Sequence, residues 1–148
     1  MIIEEYDENL FISRFEDYKR VTTRENTGNF TYRGLRALYN YLNEVYDEEN
    51  PFKMDVIALC CDFAEYKDLD EYLNDYSNEH SDFLEDKQNE FKQLLNDDED
   101  FKKQYGEDEF IEWLEEQNED EVIAEIEQQT TFIKLGDNLG EGFIIQVY

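Results

Sequence analysis

Apolar positions recur at helical spacing through most of the chain and switch to short β-branched and aromatic runs near its end. Met1–Tyr6 reads as a short edge strand. Leu10, Phe11, Phe15 and Tyr18 then follow Asp7 and Asn9, either of which can cap a helix. The polar run TTRENTGN at 22–29 reads as a loop. After it, Thr31 can cap a strong helix reaching about Glu49, with Leu35, Leu38, Tyr39, Leu42, Val45 and Tyr46 along one face and Asn50-Pro51 ending it. The run DVIALCC at 55–61 is almost wholly apolar, which predicts a strand buried on both faces or at the centre of a sheet. From Phe63 to about Gln129 the pattern is helical, with breaks at the 97–100 acidic cluster and at Gly106. Finally TTFIKL (130–135) and GFIIQVY (142–148), joined by the Gly-containing stretch 136–140, predict a hairpin.

These elements predict an α+β fold, in which a small antiparallel sheet made of the DVIALCC strand and the C-terminal hairpin packs against several helices. A length of 148 residues suits a single domain, 1–148. Within it, a helical insertion is expected at about 77–117.

Composition changes the picture. Forty Asp and Glu against thirteen Lys and Arg give a formal charge of −27. Charge of this size favours disorder, but eleven Tyr, eleven Phe and one Trp supply much to bury and argue for a folded domain under self-repulsion. Direct binding of nucleic acid or of anionic lipid is excluded, because both need a basic face. No apolar run reaches the roughly 20 residues of a membrane span. The start has neither a basic nor a long apolar region, and two Cys make no disulfide framework, so an intracellular, cytoplasmic protein is expected. The charge is also uneven. Residues 1–36 hold six bases and seven acids, including every Arg, whereas residues 37–148 hold 33 acids and seven bases.

Candidate chemistry is sparse. An EF-hand loop opening at Asp98 would need Gly where Lys103 stands, although Asp97, Asp98 and Asp100 lie close in sequence. One His and two adjacent Cys are too few for zinc, and Cys60 and Cys61 read as small core residues pointing to opposite faces of a strand. His80, within SNEHS, reads as a solvated residue in a helix connection with nothing to orient it as a base. The glycines at 136, 140 and 142 form no phosphate-binding loop and suit hairpin turns. No enzyme, cofactor or metal site is expected.

The acid itself remains. Glu65, Asp68, Asp70, Glu71 and Asp75 are opposed only by Lys67, and residues 107–127 hold eleven acids and no Lys or Arg. Like charges at i,i+4 cost a few tenths of a kcal/mol per pair, whereas interspersed Lys would gain as much. Duplex DNA carries one charge per roughly 1.7 Å of axis, so 27 charges correspond to about 46 Å of duplex. The expected partner-binding surface is therefore acidic: Asp62, Glu65, Asp68, Asp70, Glu71, Asp75, Glu79, Glu107, Asp108, Glu109, Glu112, Glu115, Glu116, Glu119 and Asp120.

The segments FTYRGLRALYNYLNEVY (30–46), DVIALCCDFAEY (55–66) and TTFIKL…GFIIQVY resemble a group of small acidic proteins of phages and prophages, over about half the chain. The resemblance implies a mobile-element origin. By analogy of class, it points to the antirestriction and anti-CRISPR proteins that imitate DNA. The expected function is a non-enzymatic, phage-type counter-defence inhibitor that blocks the DNA-binding groove of a host nuclease or of a CRISPR or restriction effector. It would act in the host cytoplasm, without binding nucleic acid or membrane itself, and a homodimer would lengthen its charged surface. The alternative is an interaction module that regulates a host protein through a mixed surface, with acidity serving only solubility. A carboxylate-bound metal enzyme is a third and weaker reading.

Overall fold

The structure is a computed structural model and describes residues 7–46, 49 and 51–148. The predicted strand at 1–6 lies outside them. The fold is α+β. Helices α1 (Glu8–Asp17), α2 (Tyr32–Val45) and α3 (Val56–Asp62) precede strand β1 (Phe63–Tyr66). Then come α4 (Leu69–Tyr76), a 3-10 turn (Ser77–His80), α5 (Ser81–Asp97), α6 (Glu99–Gln104), α7 (Phe110–Gln117) and α8 (Glu119–Glu127). Strands β2 (Phe132–Lys134) and β3 (Phe143–Gln146) close the chain as an antiparallel hairpin, and β3 lies central in the order β1-β3-β2.

Local chemistry starts the helices where the sequence places their caps. Asp7 accepts a bond from Leu10 N at 2.7 Å and Thr31 from Gly34 N at 3.0 Å. On α2 the spacing Leu35, Leu38, Leu42 becomes a buried stripe, and the helix ends at Val45, short of Glu49. In the hairpin connection Gly142 adopts φ +100, a conformation open to glycine and costly for other residues.

The DVIALCC segment is not a strand. Asp55 Oδ1 accepts a bond from Ala58 N at 3.0 Å and caps a two-turn helix in which only Val56 and Leu59 are buried. Ile57, Ala58 and Cys61 face solvent. Both cysteines are free and lie on this helix, Cys60 half-buried and Cys61 exposed, not on opposite faces of a strand. The sheet's third member is instead the next four residues, FAEY, which the sequence pattern assigned to a helix. Pairing with β3 overrides local preference there, in the register Phe63↔Gln146 to Tyr66↔Phe143.

Alternation along β3 separates two cores. Ile144 joins Phe63 and the apolar faces of α1, α2 and α3, including Phe11, Phe15, Leu35, Leu38, Leu42 and Leu59. Phe143 and Ile145 join Tyr66, Tyr72, Phe91, Trp113, Leu114, Val122 and Ile126 from the later helices. The sheet is thus covered on both faces. One layer is α1–α3, with every Arg in or next to it, and the other is α4–α8. Residues 68–127 of the second layer hold 24 acids and four Lys. The helical region predicted as an insertion at 77–117 forms the middle of that layer. Among the described residues no helix is long and apolar enough to cross a membrane.

Candidate partner-binding surface

The predicted carboxylates divide by what they hold. Asp68 caps α4, accepting from Glu71 N at 2.9 Å. Glu115, on α7, accepts from Leu69 N at 2.8 Å, so it sits at the positive end of α4 and ties the two helices together. Tyr66 donates to Asp75 at 2.8 Å and Tyr105 to Glu116 at 2.7 Å. Gly106 N donates to Glu109 at 3.1 Å, closing the turn before α7. Lys67 N lies 3.4 Å from Glu71, and Lys134 pairs with Glu119 at 3.5 Å. These acids work inside the fold as well as on its surface. Asp70, Glu107, Asp108 and Asp120 are exposed and accept no hydrogen bond from another described residue.

Two of the fifteen stand apart. Asp62 ends α3 in the first layer. Glu65 is on β1, not a helix, and faces α2, where Thr31 N and Oγ1 donate to it at 2.9 and 3.1 Å. Gly34 leaves room for this carboxylate, since a Cβ there would collide with Glu65. Glu79 is exposed in the 3-10 turn, where its backbone carbonyl accepts from Gln129 at 2.7 Å.

Folding brings six of the others together across a long sequence gap. Asp68 and Asp70 of α4 lie close enough to Glu115 of α7 to act on its ionisation, as does Glu112. Glu112 in turn shares a hydrogen bond with Glu109 and feels Glu116. Six carboxylates on two neighbouring elements thus form one electrostatic cluster. Its ionisation shows the crowding. Burial, and then the surrounding anions, push Glu115 above the usual carboxylate range, against the bond from Leu69 N. Glu112 is raised by its hydrogen bond to Glu109 and by that group's charge, and Glu65 is raised chiefly by burial.

The sequence reading missed two sites. His80 is buried, not solvated. Its Nε2 lies 2.6 Å from the Tyr72 hydroxyl and 3.3 Å from that of Tyr148, and its Nδ1 lies 3.2 Å from Gln129 Nε2 and 3.5 Å from Glu125. Tyr72, Tyr76 and Tyr148 stack beside it at ring separations of 5.0 and 4.7 Å. Burial and the bond to Tyr148 push the Tyr72 phenol up, so it stays neutral and serves as a hydrogen-bonding strut, with no nucleophilic character. Polar neighbours on both sides of His80 hid this, because its partners lie up to 68 residues away. The second site is Lys87, whose stem is buried on α5 and whose ammonium pairs with Glu121, with Glu90 at 3.3 Å and with Asn118 Oδ1 at 3.1 Å. Asp98, suggestive of calcium in sequence, caps α6 through bonds from Asp100 N and Phe101 N at 3.0 and 3.1 Å. Among the described residues no three His, Cys, Asp or Glu side chains are arranged to hold a metal ion.

Compared with known proteins, the chain matches no family model, no curated protein and no solved structure.

Proposed function

We propose that this chain is a phage-type counter-defence inhibitor, acting in the host cytoplasm, whose α4–α8 layer stands in for DNA in the binding groove of a host nuclease or of a CRISPR or restriction effector. The reading rests on one observation: thirteen of the fifteen carboxylates, all but Asp62 and Glu65, lie on the helices of the α4–α8 layer or on the caps and turns between them, and every Arg belongs to the other side of the sheet. Twenty net charges on residues 68–127 equal those of roughly 34 Å of duplex, about ten base pairs. A basic groove shaped for polyphosphate gains the same Coulomb attraction from such a layer, and the approach is steered by charge. Hydrogen bonds that anchor Asp68, Glu115 and Glu116 favour the reading further, since pre-ordered anions lose little side-chain entropy on binding. No catalytic step is invoked.

The test is displacement of a fluorescent duplex from purified DNA-binding effectors by the intact protein. Neutralising the four exposed acids that make no internal bond (Asp70→Asn, Glu107→Gln, Asp108→Asn, Asp120→Asn) leaves the fold in place and should weaken displacement on the order of tenfold or more. Undiminished displacement by this variant would remove the charge-mimic reading and favour a mixed interaction surface.

A further inference from the structure

Charge is scarce around α3. Residues 51–61 contain one Lys and one acid, Lys53 and Asp55, in a chain of net charge −27. Within that stretch α3 turns Ile57, Ala58 and Cys61 outward, and Ile57 is 45% exposed. Ile57 and Cys61 are i,i+4 neighbours, about 6 Å apart along the axis, with Ala58 beside them, so the outer face of α3 is a continuous apolar stripe. The core does not need it, because Val56 and Leu59 already fill the inner face.

We infer that this face of α3 docks a second copy of the chain, in a two-fold pair of α3 on α3. Charge selects the occupant. A strongly basic partner is drawn to the α4–α8 layer, not here. A second copy is repelled by that layer, and it meets less repulsion at the first, where residues 7–62 hold eleven acids against seven bases. Pairing through α3 keeps both acidic layers on the outside, with two sheets between them. In a two-fold pair the contacts are reciprocal, so Ile57 of each copy meets Cys61 of the other, and Ala58 allows close approach. Lys53 makes no ion pair among the described residues, and antiparallel α3 helices bring it toward Asp62 at the far end of the other copy's helix. Two helical turns bury less than the roughly 800 Å² per partner of a tight complex, so the pair is weak and concentration-dependent.

Sedimentation equilibrium of the full chain between about 5 and 500 µM tests this. The expected result is a monomer–dimer equilibrium that tightens severalfold between about 50 and 500 mM salt, as screening removes self-repulsion. Ile57→Lys should weaken the dimer by about tenfold or more, even though it lowers the net negative charge and would relieve generic repulsion. Asp120→Asn, with the same charge change in the other layer, should leave it equal or tighter. Circular dichroism checks that both variants keep the native helix content. A monomer at every concentration, a dimer unchanged by Ile57→Lys, or one that weakens as salt rises would overturn the proposal. None of these results bears on duplex displacement, so the two readings fail separately.

Discussion

Replacing Lys87 by Met isolates what a single buried cation contributes inside an anionic layer. Met keeps the length and apolar stem of Lys, so packing around α5 changes little. The ammonium is what disappears. Asn118 Oδ1, 3.1 Å away on a residue 8% exposed, then loses its donor, at about 1–3 kcal/mol for an unsatisfied buried acceptor. Glu90 and Glu121 lose their counter-charge too, but their side chains are 51% and 60% exposed, so each adds no more than about 0–1 kcal/mol. The expected loss is about 2–3 kcal/mol, or roughly 5–10 °C in Tm for a chain of this size. Asn118 joins α7 to α8 and donates to the carbonyl of Trp113, the sole tryptophan. Urea unfolding followed by Trp113 fluorescence and by far-UV circular dichroism therefore reads the affected corner and the whole fold together. An unchanged or raised midpoint would mean that the ammonium is an ordinary surface charge, and the account of this corner would be wrong.

Other perturbations test other parts of the structure. Tyr72→Phe removes the hydroxyl shared by His80 Nε2 and Tyr148, and should cost about 1–3 kcal/mol in urea melts. Gly142→Ala forces a Cβ into φ +100 and should cost about 1–2 kcal/mol, again by urea midpoint. Stability should rise as pH falls from neutral toward the upper edge of the ordinary carboxylate range. Glu65, Glu112 and Glu115 have folded-state ionisation raised above the unfolded value, so the native state binds more protons in that window and gains on acidification. Glu141 is lowered, chiefly by bonds from Asp137 N and Asn138 N, and its contribution is lost only below the ordinary carboxylate range. A urea midpoint that falls steadily as pH is lowered from neutral to the upper edge of that range would contradict the crowding of the acidic layer.

How far the sequence was legible depended on the range of the interactions. Thr31 and the Leu35, Leu38, Leu42 stripe act within a few residues, and α2 follows from them directly. So do the breaks at 97–100 and Gly106, and the C-terminal hairpin. DVIALCC misled because an apolar run does not reveal whether it is covered on two faces or one. Its Asp55 cap was the local sign of a helix, and the outward Ile57 and Cys61 keep an apolar side that the core does not use. The four residues of β1 carry no pattern of their own, since their strand state comes from β3, some 80 residues later. For the same reason the acidic stretches were visible as composition, but their division into anchoring and free carboxylates was not. Leu69 and Glu115 meet only after α4 and α7 pack.

The central claim is that ordered carboxylates on α4–α8 replace phosphates in a basic groove. The most direct measurement is the dissociation constant of the chain with an effector whose duplex it displaces, at several salt concentrations from about 50 to 500 mM. The account predicts a log–log slope of about four or steeper, from four or more exchanged ion pairs, and a flatter slope for the Asp70, Glu107, Asp108 and Asp120 neutralised variant. A constant that barely moves with salt, with the same slope for both proteins, would contradict it.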